Sequence, residues 1–188
     1  MNQTPAEAAA ILAKGSEALD AAFSKLSADA AEARGTIGGG TWSARDLAGH
    51  LATWEELALR TIEEVRAGRP PSIRTTITDE ASLDLFNAAE VERKASAGWE
   101  EALTNFRATN ARLVATVRAI PDDEWERVAP SALPVSGPLR GAWGGQPRTL
   151  GEEVGSSTGM PENPFRHAWA HLQDLQAFVQ AVTVGREP

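Results

Sequence analysis

The sequence predicts an all-α protein, an antiparallel four-helix bundle in a single domain over residues 1–188, with a long Gly/Pro-rich loop before the last helix. Apolar residues recur at steps of three and four in four separate stretches, which is the period of an amphipathic helix. No stretch sustains strand-like alternation, and no internal repeat is present. A chain of 188 residues with 42% hydrophobic side chains is long enough for one core of ordinary size.

The first helix spans residues 5–33, with Ala8, Ile11, Leu12, Leu19, Ala22, Phe23 and Leu26 on its inner stripe. Residues 34–40 end in three adjacent glycines, which make a helix entropically costly and permit positive φ, so a loop belongs there. Ser43 then caps a second helix, with Asp46 three residues on as the acid of a capping box. It runs to about residue 67, where Gly68 and Pro70 stop it. Its inner stripe reads Leu47, His50, Leu51, Trp54, Leu57, Ala58, Ile62 and Val65. The third helical region covers 79–120, with a break or kink at 96–98. Asn87 and Asn110 stand on its apolar faces, and buried amides of that kind need partners. Pro121 opens a short helical turn over 121–125.

Residues 129–164 hold six of the 11 prolines and seven of the 16 glycines, too many for a continuous element. Leu133, Leu139, Trp143 and Leu150 are apolar anchors for such a loop as a packed cover, and a short helix fits at 149–154. The last helix opens at Pro161 or Pro164 and runs to about residue 182, with Phe165, Ala168, Leu172, Leu175 and Val179 on one arc. His167 and His171 lie beside that arc, at the core margin.

Charge and composition remove several functions. With 18 basic against 26 acidic side chains the net charge is −8, which repels phosphate backbones and anionic membranes, so nucleic acid and membrane are not expected partners. The absence of cysteine rules out disulfides, thiolate metal sites and a cysteine nucleophile. No run of apolar residues is long enough for a membrane span, and residues 1–7 lack the features of an export signal, so the expected location is cytoplasmic. Phosphate-binding glycine loops and nucleophile elbows are also missing.

What remains is histidine. The chain has only three, and all fall on or beside inward stripes. His167 and His171, at i and i+4, place two imidazoles on one helix face with Cβ atoms roughly 6 Å apart, close enough to share one ion. His50, from a facing helix, supplies a third corner. Three neutral nitrogen ligands leave positions open for water or substrate, as catalytic sites do. Asp46 and Asp174 are candidates to accept hydrogen bonds from the ligating rings, although a helix cap and a solvated acid are the simpler readings of each. Trp54 and Trp169 are candidate pocket walls and Asn87 a candidate polar contact, with core packing the commoner role for the tryptophans. Arg140 and Arg148 would grip a carboxylate if the loop closes. Glu55 and Glu56, a turn beyond His50, are expected in solvent.

The segment from Trp42 to Glu55, WSARDLAGHLATWE, followed by His167-Ala168-Trp169-Ala170-His171, resembles the DinB-like superfamily of four-helix bundles over nearly the whole chain. Leu85-Phe86-Asn87-Ala88-Ala89 and the helix after it are most similar to the ClbS/DfsB branch. The resemblance implies a divalent metal, commonly zinc or nickel, on the histidines matching His50, His167 and His171. It also implies, for thiol-dependent members, a low-molecular-weight thiol as cosubstrate. Isomerase-type members often carry glutamate where this chain has His167, and ClbS-type members are similar to protective hydrolases. The expected function is therefore a metal-dependent transferase, isomerase or hydrolase in which an activated thiol or water attacks a small electrophilic substrate. A bundle that only sequesters a small molecule is the alternative, and a homodimer through exposed helix faces is a third reading.

Overall fold

The computed structural model describes residues 3–130, 148–160 and 163–184. Among them every regular element is helical, and four long helices form the bundle: α1 (Pro5–Phe23), α3 (Ala44–Arg66), α6 (Trp99–Arg118) and α9 (His167–Val184). Shorter helices join them: α2 (Ala28–Glu32), α4 (Ile73–Thr76), α5 (Glu80–Lys94), α7 (Asp122–Trp125) and α8 (Leu150–Ser157). No described helix is long and apolar enough to cross a membrane.

Local chemistry explains most of the boundaries. The expected capping box opens α3: the Ser43 hydroxyl accepts from the Asp46 N–H at 3.1 Å, and Asp46 accepts from the Ser43 N–H at 3.0 Å. Such a cap contributes about 1 kcal/mol. Thr4, Asp79 and Thr149 open α1, α5 and α8 in the same way. The glycine run carries Gly38 and Gly39 at φ 57° and 68° in a short 3₁₀ turn, Ile37–Gly40, which folds the chain back ahead of α3.

Two expected boundaries move. The first helix is not continuous to residue 33: it ends at Phe23, and Ser27 caps the separate α2 by accepting from the Ala30 N–H. The last helix starts at His167, not at Pro161 or Pro164, because Phe165 sits at φ 63°, outside helical geometry. Its ring is buried and stacks on Trp125, with centroids 5.9 Å apart, so Phe165 serves the core from a turn and not from the helical arc.

Among the described residues the core has three clusters: one, Trp54, Leu57, Ile73 and Ile77, carries Leu83 and Phe86 of α5, and the other two lie toward opposite ends of the bundle. In one, Leu19 and Phe23 of α1 meet Leu47 and Leu51 of α3, Trp99 and Phe106 of α6, and Phe178 of α9. In the other, Ala8 and Leu12 meet Ile62 and Val65, Leu113 and Val117, together with Trp125, Leu150 and Phe165. The late turns of α3 and α6 therefore share an end, so these two helices run in the same direction, and α1 and α9 run opposite to both. Each of α3 and α6 thus runs antiparallel to α1 and α9, the antiparallel four-helix bundle that the sequence predicts, and α5 is the return connection that lets α3 and α6 share a direction. The expected loop anchors Leu133, Leu139 and Trp143, and Arg140 with them, lie outside the described residues.

Candidate metal centre

His50 is on the second turn of α3, and His167 and His171 are on the first two turns of α9, which packs across it in the opposite direction. The structure brings all three together. Nε2 of His167 stands 3.1 Å from Nε2 of His50 and 3.1 Å from Nε2 of His171, and one ligand atom from each ring falls within 4.8 Å of the others. Tetrahedral coordination at the usual nitrogen distance separates two such atoms by roughly 3.3 Å. The donor set therefore fits a divalent ion of the zinc or nickel class: three imidazoles, from two rigid helices, aimed at one point.

Electrostatics favour the ligating form. Burial, followed by the neighbouring charges of His171 and Lys94, pushes His50 down to about 3. Burial and its two histidine neighbours hold His167 well below the ordinary imidazole range. Burial also lowers His171, with Asp174 acting weakly in the opposite sense. Neutral imidazole keeps a lone pair free for a metal.

The triad forms one wall of a cavity of about 400 Å³. Trp42 lies over His50, centroids 4.7 Å apart, and Trp54 flanks His167 at 5.9 Å. Asn87 of α5 accepts from the Trp54 indole N–H at 3.1 Å, which fixes that ring against the site. Leu83, Met160 and Arg166 also line the cavity.

Several expected contributors are elsewhere. Asp46 accepts from the Ser43 N–H and from Arg45, and lines a separate cavity of about 340 Å³. None of its described hydrogen bonds reaches a histidine, because the capping geometry turns it back to the start of α3. Asp174 is exposed, and its hydrogen bond, from the Thr36 hydroxyl, goes to its main-chain oxygen. Trp169 is not a pocket wall: it is 36% exposed and packs on Gly15 of α1, its indole N–H directed at the Ile11 carbonyl. Arg148 donates to the Ser156 hydroxyl. Glu55 is not solvated: it is buried and accepts from the Asn110 amide at 2.6 Å. Glu56 does reach solvent, its side chain 39% exposed, and accepts from Lys94 and Asn105. The contributors that periodicity does not indicate are Trp42, Ser156, Ser157, Gly159, Met160, Asn163 and Arg166. Trp42 stands eight residues before His50 in a non-helical stretch, and the others come from the end of α8 and from described residues ahead of α9.

The family model of the DinB superfamily matches residues 11–152. Among solved structures, the crystal structure of an uncharacterised protein from Escherichia coli UTI89 is similar, with a TM-score of 0.70 at 17% identity over 97% of this chain and 96% of that chain. At that identity the likeness concerns the fold. No curated protein matches the chain.

Proposed function

This chain belongs to the DinB superfamily, and from that premise we propose that it is a divalent-metal-dependent enzyme, with zinc or nickel held by His50, His167 and His171, in which a small thiol or water attacks a small electrophilic substrate. The observation that carries the reading is the convergence of three buried imidazole nitrogens at 3.1 Å spacings on the wall of a pocket. When bound, such an ion supplies Lewis acidity and makes a thiol or water nucleophilic at neutral pH. The protein's part is preorganisation. Burial keeps the rings neutral, and two helices set their spacing. Trp42 and Trp54 exclude bulk water on one side, and Asn87 holds Trp54 in place. The net charge of −8 supports a small-molecule partner rather than nucleic acid, and we place the protein in the cytoplasm.

A second reading is favoured by one feature: no Asp or Glu lines the pocket among the described residues, so proton transfer there has only the histidines. A bundle that sequesters a reactive molecule needs no such group. Elemental analysis of untagged protein separates the two. The enzyme reading expects about one zinc or nickel ion per chain in the wild type and loss of most of it in His50→Ala and His171→Ala. Metal-free wild type that also refuses added zinc and nickel leaves the sequestering bundle.

A further inference from the structure

The pocket beside the three histidines has an uneven chemistry that bears on what it takes. Trp42, Trp54, Leu83 and Met160 give it a mostly apolar wall. In a chain carrying 26 acidic side chains, none of its described lining residues is acidic. Among its described lining residues the one with a permanent charge is Arg166, immediately before His167 at the start of α9. The Arg166 side chain is exposed at the rim, and within the described residues its guanidinium has neither an ion pair nor a hydrogen bond. The preceding cation in the chain, Arg148, is committed to Ser156, and Arg74 is committed to Glu153 of α8.

We propose that this pocket takes a small molecule with a flat apolar body and a single anionic group of the carboxylate type, the body lying along Trp42 and Trp54 and the anion paired with Arg166. The assignment rests on reading the histidine pocket as the substrate site. A cavity of about 400 Å³ is wide enough for a one- or two-ring body. Aromatic walls match a flat apolar surface, and a guanidinium forms two parallel hydrogen bonds to a carboxylate. Arg166 is thus a specificity residue, adjacent to the triad but not part of it.

The test uses 2-naphthoate and its neutral counterpart 2-naphthamide, titrated calorimetrically into the full-length protein, both metal-free and zinc-loaded. The expected result is a preference for naphthoate of roughly tenfold in the metal-free wild type. Arg166→Lys retains most of it, and Arg166→Gln abolishes it without weakening naphthamide. Equal binding of the two probes, no binding of either, or a preference that survives in Arg166→Gln overturns the proposal. A preference present only with zinc and indifferent to Arg166 assigns the carboxylate to the metal, which overturns this inference and leaves the metalloenzyme reading intact. Conversely, an Arg166-dependent preference in a wild-type protein that takes up no metal sustains the inference while the metalloenzyme reading fails.

Discussion

Burial acts in opposite directions on the two kinds of ionisable group inside this bundle. His50 is driven down to about 3 from an ordinary value of 6.5, so the folded state binds fewer protons than the unfolded chain between those limits. The stability it contributes is fully present above pH 6.5 and is lost as pH falls from 6.5 toward 3. Glu55 is raised from 4.5 to about 8, mainly by burial, against the lowering effect of the Asn110 hydrogen bond. Its contribution is fully present below pH 4.5 and is lost as pH rises through 8. Urea unfolding of chelator-treated protein between pH 4.5 and 9 reads both effects. Wild type is expected to lose stability between pH 6.5 and 8, on the order of 2 kcal/mol, and to level off above that. Glu55→Gln is expected to stay level there while still weakening below pH 6.5. Parallel curves for the two proteins contradict the assignment to Glu55. The heptad-like position of Glu55 cannot reveal this burial. An acid five residues after His50 reads as solvated until α6 is known to run beside α3 and offer Asn110.

The approach to α9 shows how one element positions another. A Cβ added at Gly159 would lie 2.4 Å from the Asn163 carbonyl oxygen and within 2.9 Å of the Phe165 and Arg166 nitrogens, all of them backbone atoms that cannot rotate aside. The same turn directs the His167 N–H to the Thr158 carbonyl at 2.8 Å. Gly159→Ala therefore has to displace the segment that places His167. It is expected to cost about 1–3 kcal/mol of stability and to lower zinc affinity at least tenfold, as competition with a chromophoric chelator will measure. Unchanged affinity rules out this turn as the device that sets the triad. Gly15, against Ala168 and Trp169, allows the matching close approach of α1. In contrast α5, which has no fully buried residue, is held over the site by Leu83, Phe86 and the Asn87 contact to Trp54.

At the scale of the whole molecule, a buried ion pair joins parts of the chain that have no local reason to meet. Arg74 of α4 pairs with Glu153 of α8, both side chains almost fully buried, and Arg74 Nε donates to Glu153 at 3.1 Å. Removing one partner leaves a buried charge uncompensated, so Arg74→Met is expected to cost about 3–5 kcal/mol. Arg74→Met combined with Glu153→Met should recover much of that loss in urea midpoint at unchanged slope. Purely additive losses contradict a coupled pair.

By itself the sequence determined what local physics governs. Periodicity assigned the four long helices, Ser43 and Asp46 opened α3, Gly68 and Pro70 closed it, and the i, i+4 histidines with His50 marked the three residues that the structure brings together. Each of those signals sits within one or two helical turns, where 3.6-residue geometry relates spacing directly to position. Tertiary structure decided the shared direction of α3 and α6, the burial of Glu55 against Asn110, the seat of Trp169 on α1 instead of in the pocket, and the arrival of Trp42 at the triad. These depend on contacts between residues far apart in the chain, formed by the packing of whole helices, and nothing in the spacing along any one helix encodes which neighbour its outer positions will meet.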